Sequence, residues 1–136
     1  MTTPAKQLQQ RIKSHEATVG VVGLGYVGLP LSISFARAGF PVLGFDTDSQ
    51  RVAQINRGEQ VTQHIPRKAM QALAQGGEAT ADFTRLGEAD AVLVCVPTPL
   101  DQHHQPDMSY IETAADAIAA TLRKGQLVAL ESTTWP

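Results

Sequence analysis

The sequence predicts an α/β protein of the Rossmann type, with a doubly wound, mainly parallel sheet and helices on both faces. Short apolar runs alternate along the chain with longer helical patterns, as strands and helices do in such sheets. The run at 90–96 is almost continuously apolar, which is typical of a parallel strand covered on both faces. A glycine-rich turn joins the first apolar run to the first long helical pattern, where this fold binds its ligand.

The first strand and the turn after it form the most informative stretch of the chain. The run Thr18–Val22 leads directly into Gly23-Leu24-Gly25-Tyr26-Val27-Gly28. Glycines at this spacing, between a strand and a helix, are the dinucleotide-binding fingerprint. Gly23 would permit a tight turn, Gly25 would let a pyrophosphate approach the helix N-terminus, and Gly28 would let the helix lie close to its strand. The alternative is a glycine-rich turn in an unrelated loop.

The helix after the glycines is predicted to run to about Ala38. Val27, Leu31, Phe35 and Ala38 recur at i, i+4, i+8 and i+11, so we expect them on its buried face. Gly39 should then end the helix in the left-handed conformation that glycine adopts easily.

An acidic residue follows the second predicted strand, Pro41–Phe45. Asp46 comes 23 positions after Gly23, close to the ~20 residues at which an acid binds the adenosine ribose in this fold. A carboxylate there accepts hydrogen bonds from the ribose hydroxyls and repels a 2′-phosphate, which favours NAD over NADP. The alternative is a helix cap, although Asp48 could cap the next helix and leave Asp46 free. Arg51 could reach the adenosine side or could be a solvated helix charge.

The later elements follow from apolar periodicity, capping residues and glycines. Ser109–Glu112 matches a capping box, which would open a helix to about Arg123. Gly58 and Gly125 should end the second and the last helices. The other predicted elements are a helix through Asn56, a polar loop at 59–66, a helix at 66–75 ending at Gly76-Gly77, a strand at 78–82, a turn or short helix at 84–89 and a strand at 126–130.

Residues 1–17 are polar and precede the first strand. Leu8 and Ile12 stand four residues apart, so residues 5–16 could form a short helix, or the segment could be a solvated leader. The segment lacks the apolar centre of a secretory signal. We therefore divide the chain into a leader, 1–17, and an NAD-binding Rossmann domain, 18–136.

Bulk composition narrows the classes of partner. The 136 residues are 43% hydrophobic, which suits one globular domain with its own core. A net charge of −2 gives no electrostatic basis for binding nucleic acid or an acidic membrane surface, and the apolar runs are too short to cross a bilayer. One cysteine excludes an internal disulfide framework and fits a reducing compartment. We therefore expect a cytoplasmic protein without nucleic-acid or membrane partners.

Two prolines mark the end of the apolar strand at 90–96. Pro97 and Pro99 should stop strand pairing and hold Thr98 at the carboxyl edge of the sheet, where open α/β sheets bind ligands. Cys95, inside the strand, is expected to be an inert core residue because nothing near it in sequence would lower its pKa.

The loop at 100–106 contains possible metal ligands. Asp101, His103 and His104 lie close together in sequence, so they could bind a metal ion or could belong to a polar surface loop. We favour the surface loop, because no helix or strand would make these side chains converge. His64 is likewise expected to be a solvated loop residue, and no metal site is predicted.

Several short motifs follow one another in a recognisable order. They are GVVGLGYVGLPL at 20–31, GFDTDSQRVAQINRGE at 44–59, CVPTPLD at 95–101, PDMSYIETA at 106–114 and ESTTWP at 131–136. In these motifs the chain resembles the UDP-glucose/GDP-mannose dehydrogenase family, in its N-terminal NAD-binding domain. The last motif is most similar to the branch that acts on UDP-N-acetylglucosamine or UDP-N-acetylmannosamine.

The resemblance implies oxidation of the C6 alcohol of a nucleotide sugar to a uronate, with two NAD consumed. In this family the aldehyde formed first is trapped by a cysteine, oxidised to a thioester and hydrolysed. That cysteine and a lysine lie in later domains, and Cys95 does not match the cysteine's motif. The resemblance therefore implies that this fragment binds NAD but does not turn over alone. It also implies that further domains bind the sugar nucleotide and that the full-length enzyme is a homodimer or larger.

The resemblance also assigns roles to individual residues. Thr133 matches a threonine near the nicotinamide and the catalytic water, with Glu131 as a neighbour; simple strand-end hydrogen bonding is the alternative for Thr133. The other assigned residues are Gly23, Gly25, Tyr26, Val27 and Gly28 at the pyrophosphate, Asp46 and Arg51 at the adenosine ribose, and Thr98 at the nicotinamide ribose.

Two other functions stay open at this point. The chain could be the NAD domain of a hydroxyacid-type dehydrogenase, but that would leave the motifs at 95–101 and 131–136 unexplained. It could also be a stand-alone nucleotide-binding or regulatory module without chemistry of its own.

Overall fold

The computed structural model describes residues 2–132, which form five strands, five α-helices and one 3₁₀ helix. No helix in this part of the chain is long and apolar enough to cross a membrane. The strands are β1 (Val19–Val22), β2 (Val42–Phe45), β3 (Gly77–Thr80), β4 (Ala91–Val94) and β5 (Leu127–Leu130). The helices are α1 (Pro4–Lys13), α2 (Gly28–Arg37), α3 (Ser49–Asn56), α4 (Arg67–Gly76), α5 (Ser109–Thr121) and the 3₁₀ helix (Phe83–Glu88).

The strands form one sheet in the order β3-β2-β1-β4-β5. Every neighbouring pair is parallel, so the predicted doubly wound fold is confirmed. The chain moves outward from β1 to β2 and β3, then crosses to β4 on the other side of β1. Loops leaving β1 and β4 therefore diverge, and a crevice opens between their carboxyl ends.

Both faces of the sheet are covered at β1, β2 and β4, as the apolar run at 90–96 predicted, whereas β5 is largely exposed. One core cluster joins the sheet to α2, α3 and α4, and it includes Leu29, Ile55 and Met70. The other joins the opposite face to the 3₁₀ helix and α5, through Leu86 and Ile118. β1 contributes to both clusters because successive side chains of a strand point to opposite faces.

The buried face of α2 differs from the predicted one. Leu29, Ser32 and Ile33 are buried, whereas Val27 precedes the helix and is 50% exposed. Of the expected set, Leu31 and Phe35 are half-buried and pack against the core, and Ala38 is exposed beyond the end of the helix. Ser32 tolerates burial because its hydroxyl donates to the Gly28 carbonyl at 2.7 Å.

The start of α5 also corrects the sequence analysis. Ser109 is the first helical residue and is not the head of a capping box, since the Glu112 N–H donates to the Met108 carbonyl. Instead, the Asp107 carboxylate accepts the Ser109 N–H at 2.9 Å and takes the place of the expected cap. The helix ends at Thr121, which leaves Arg123 outside it.

Asp90 is the anchor at the amino end of the sheet. Its carboxylate, only 12% exposed, accepts from Arg11 at 3.0 Å and from Arg123 at 2.8 Å. It also accepts the Thr18 N–H at 2.8 Å. These bonds tie α1, β1 and the start of β5 to one side chain. Burial alone would raise the pKa of Asp90, but the hydrogen bonds from Thr18, Arg123 and Arg11 outweigh it and hold the pKa below its usual range.

We predict that Asp90→Asn lowers the free energy of unfolding by about 2 kcal/mol at pH 7, because the two arginines lose a charged acceptor. A carboxyl with a lowered folded-state pKa contributes stability above its unfolded pKa of about 3.9, and that stability is lost as the pH falls through the folded value. Urea unfolding at pH 7, 5 and 3 should therefore show the difference between wild type and variant shrinking at the lowest pH. Asp116→Asn, on the exposed side of α5, is the control and should change little; equal effects of the two substitutions would contradict the anchor role.

Candidate dinucleotide-binding site

A cavity of about 1210 Å³ lies at the carboxyl ends of β1, β2, β4 and β5. This is the edge of the sheet at which open α/β folds bind ligands. Gly28 does not line it, and Thr133 lies outside the described residues. The other residues predicted for the site all line the cavity: Gly23, Gly25, Tyr26, Val27, Asp46, Arg51, Thr98 and Glu131.

The glycine turn is shaped by two close backbone approaches. Gly23 has φ of +94°, and a Cβ there would also lie 2.9 Å from the Cys95 carbonyl oxygen. A Cβ on Gly28 would lie 1.7 Å from the Gly23 carbonyl oxygen, which no side chain can tolerate. Glycine at these two positions therefore lets α2 begin directly against the end of β1.

Gly25 is a glycine for a different reason. A Cβ at this position would meet no atom of the described residues within 4 Å, so the fold itself does not require glycine here. The residue lines the cavity and precedes α2, in whose first turn the Leu29 N–H donates to the Gly25 carbonyl at 3.2 Å. An added side chain would enter open space, as expected where a ligand approaches the backbone.

As expected from the sequence, Asp46 does not cap α3, but its carboxylate accepts two backbone hydrogen bonds. Its Oδ2 accepts the Leu24 N–H at 3.0 Å, and its Oδ1 accepts the Asp48 N–H at 2.9 Å. Asp48 does cap α3, accepting from Gln50 and Arg51, so that part of the prediction is confirmed. Each carboxylate oxygen of Asp46 has a second lone pair, which leaves acceptor capacity toward the cavity.

Arg51 makes a contact that neither interpretation of the sequence included. Its Nε donates to the Leu24 carbonyl at 2.7 Å, and its side chain lines the cavity. Asp46 and Arg51 therefore both contact Leu24 in the glycine turn. We call β2, α3 and the loop between them the second β–α unit.

The opposite end of the cavity lies between the exits of β4 and β5. Thr98 and Glu131 line this end. Ser132, which the sequence analysis did not single out, donates from Oγ to the Val96 carbonyl at 2.7 Å. This bond ties the β5 exit to the segment that carries Thr98.

Further lining residues come from elements whose position the sequence did not reveal. Phe83 of the 3₁₀ helix and Tyr110, Thr113 and Ala117 of α5 also line the cavity. Residues 110, 113 and 117 fall at helical spacing, which is the signal that could have grouped them. Their facing direction depends on how α5 packs against the sheet.

The loop at 100–106 is folded as a tight turn. The Asp101 Oδ1 accepts the N–H groups of His103 and Gln105, at 2.8 and 3.0 Å, and His104 has φ of +60°. The carboxylate is thus used to close the loop. Among residues 2–132, no cluster of three or more His, Cys, Asp or Glu side chains could hold a metal ion.

Comparison with known proteins shows extensive similarity. Residues 17–136 match the family described as "UDP-glucose/GDP-mannose dehydrogenase family, NAD binding domain". The chain is 44% identical over 119 residues to UDP-N-acetyl-D-mannosamine dehydrogenase of Escherichia coli strain K12, covering 87% of this chain and 28% of that protein.

Solved structures agree with the sequence comparison. UDP-D-ManNAc dehydrogenase of Pyrococcus horikoshii is 36% identical with a TM-score of 0.78, over 88% of this chain and 29% of that one. NDP-N-acetyl-D-galactosaminuronic acid dehydrogenase of Methanosarcina mazei is 29% identical with a TM-score of 0.81, over 100% of this chain and 31% of that one. The chain thus spans less than a third of the length of each of these relatives.

Cys95 lines the cavity but is only 8% exposed. Burial, with a smaller contribution from the Glu131 carboxylate, raises the pKa of its thiol to about 11. The thiolate is the reactive form, so this position is unsuited to nucleophilic chemistry near neutral pH.

We predict that Cys95 reacts slowly with a thiol-specific disulfide reagent at pH 8. With a pKa near 11 against about 9 in the unfolded chain, the thiolate fraction is about 100-fold smaller in the folded state. Absorbance kinetics on the folded chain and on the chain in urea should show at least this difference. Similar rates in the two states would contradict it, and Glu131→Gln should raise the folded rate modestly.

Proposed function

This chain belongs to the UDP-glucose/GDP-mannose dehydrogenase family, whose NAD-binding domain it matches over residues 17–136, and we propose that it holds NAD in the cavity at the β1–β4 switch point. The observation that carries this proposal is the open space in front of Gly25. There a pyrophosphate can approach the start of α2 without displacing any side chain.

The glycine turn is proposed to bind the pyrophosphate. The N–H groups of Gly25, Tyr26 and Val27 precede or begin the first turn of α2, where the helix dipole favours negative charge. Gly23 and Gly28 act by permitting the close approach of α2 to β1, so Gly28 serves the site without lining it.

The adenosine half is proposed to lie beside Asp46 and Arg51. The spare lone pairs of the Asp46 carboxylate would accept the ribose hydroxyls, and its charge would disfavour a 2′-phosphate, so NAD is preferred to NADP. Phe83 and Ala117 supply apolar surface on this side of the cavity, as a purine ring requires.

The nicotinamide half is proposed to lie at the exits of β4 and β5. Thr98 would contact its ribose, with Glu131 nearby, and Thr133, outside the described residues, keeps its predicted place near the ring and the catalytic water. NAD, when bound, accepts a hydride at the nicotinamide. The chain's own part is to orient that ring at the edge of the sheet.

The activity of the whole enzyme is proposed to be oxidation of the C6 alcohol of a UDP-N-acetylhexosamine to the uronate. The support is that the E. coli, P. horikoshii and M. mazei relatives are all named as dehydrogenases of N-acetylated sugars or their uronic acids. The proposed sugar site and the catalytic cysteine belong to regions outside this chain. The homodimeric state and the cytoplasmic location stay predictions.

The activity predicts a stoichiometry that can be measured. An enzyme carrying this domain, supplied with UDP-N-acetylmannosamine and excess NAD, should form two NADH for each uronate released, because an alcohol loses four electrons on becoming a carboxylate. Absorbance at the NADH band and chromatography of the sugar product give the ratio. One NADH per sugar, with an aldehyde or ketone as product, would instead indicate a different dehydrogenase.

NAD binding by the chain itself is tested with Gly25→Ala. We expect wild type to bind NADH in a fluorescence or calorimetric titration, and the variant to bind at least about tenfold more weakly because the methyl group fills the space meant for the pyrophosphate. The free energy of unfolding should change by less than about 0.5 kcal/mol, since the added Cβ meets no described atom within 4 Å.

The control for this titration is Gly87→Ala, remote from the cavity, where the added Cβ would make only ordinary contact with Thr121 at 3.4 Å. It should leave NADH affinity unchanged. Wild type that is folded yet fails to bind NADH at millimolar concentration would overturn the proposed function, and unchanged affinity in Gly25→Ala would move the pyrophosphate elsewhere.

A further inference from the structure

Leu24, between the first two glycines of the turn, is held from three directions by the second β–α unit. Its N–H donates to Asp46 Oδ2 at 3.0 Å, and its carbonyl accepts from Arg51 Nε at 2.7 Å. Its side chain is 1% exposed and lies over Gly44, where a Cβ would come within 2.8 Å of Leu24 Cδ2. We call these three contacts the Leu24 clamp.

The clamp sets the direction of two successive peptide groups. A peptide is planar and trans, so its C=O and the N–H of the next residue point in opposite directions. In the first peptide the Leu24 N–H points to Asp46, and the Gly23 carbonyl accordingly points to Gly28, where a Cβ would touch it at 1.7 Å. In the second peptide, Arg51 holds the Leu24 carbonyl, so the Gly25 N–H points away from Arg51.

The two peptides are not equally constrained. The first is fixed at both ends, by Asp46 and by the contact between Gly23 and Gly28. The second leads into Gly25, which has no Cβ and no atom around it within 4 Å of where one would be. The Arg51 hydrogen bond is the contact that holds the Leu24 carbonyl, and glycine at residue 25 makes rotation of this peptide easier than a residue with a Cβ would.

We propose that Arg51 is a positioning residue that keeps the Gly25 N–H directed at the ligand by holding the Leu24 carbonyl. The inference rests on the proposed function, since the ligand is the pyrophosphate of NAD. With the peptide rotated, a carbonyl oxygen would face the phosphates in place of an N–H donor and would repel them. Arg51 thus lies on the adenosine side of the site but acts on the pyrophosphate half. It does so by orienting the backbone at Leu24 and not by its charge.

Two substitutions separate the hydrogen bond from the charge. Glutamine carries an amide nitrogen at the chain position of the arginine Nε, so Arg51→Gln keeps a donor toward Leu24 and loses the charge. Lysine carries a methylene at that position and the ammonium one bond beyond it, so Arg51→Lys keeps the charge but has no donor at the Nε position. The same pair at Arg57, an exposed residue paired with Glu59 and outside the cavity lining, is the control.

We expect Arg51→Lys to weaken NADH binding by about tenfold and Arg51→Gln by less than about threefold, in calorimetric titrations of the intact chain. The opposite order would show that Arg51 acts on the ligand by its charge, and equal losses would show that the hydrogen bond to Leu24 does not carry the effect. Either result overturns the proposal. The Arg57 variants should bind as wild type does.

A second measurement needs no ligand. In amide NMR spectra of the chain without NADH, the Gly25 N–H resonance of Arg51→Gln should stay near its wild-type position, and that of Arg51→Lys should shift or broaden. The same resonance unmoved in both variants would overturn the clamp. If wild type fails to bind NADH but the Gly25 resonance follows this pattern, the clamp stands and the proposed function falls.

Discussion

The contact on which the site depends is the approach of α2 to the end of β1, where Gly28 lies against the Gly23 carbonyl. A Cβ at residue 28 would fall 1.7 Å from that oxygen, so the helix can begin here only because the residue is glycine. The approach places the start of α2 at the carboxyl edge of the sheet, where the helix dipole favours negative charge. The parallel strand order then opens a cavity at the same edge, because the chain leaves β1 and β4 in opposite directions.

The second β–α unit, formed by β2 and α3, holds the glycine turn between β1 and α2 in place. Gly44, Asp46 and Arg51 all contact Leu24, so the turn proposed to bind phosphate is held by residues from the proposed ribose-binding segment. The two halves of the proposed dinucleotide site are therefore linked through one buried leucine. At the far edge of the sheet, Asp90 performs a comparable task by joining α1, β1 and the start of β5 through Arg11, Thr18 and Arg123.

Sequence-based predictions were confirmed where a single residue type satisfies a requirement of the neighbouring backbone. Gly39 ends its helix at φ of +94° and Asp48 caps α3, as their positions predicted, because each effect involves only neighbours in the chain. The predictions were wrong where two nearby residues could each satisfy the same requirement. Ser109 and Asp107 are both good caps, and the geometry of the approaching loop chose Asp107. On α2, periodicity correctly placed Leu31 against the core but included Val27, which is half-exposed, and omitted Leu29 and Ile33, which are buried.

The sequence by itself determined the fold class, the location of the glycine turn and the family, because these follow from the order of apolar runs and from motifs with fixed spacing. Only the tertiary structure decided which groups Asp46 and Arg51 contact and which α5 residues reach the cavity. The reason is that such contacts depend on distances between elements far apart in the chain. Leu24 and Arg51 are 27 positions apart in sequence and 2.7 Å apart in space, and no local pattern encodes that separation.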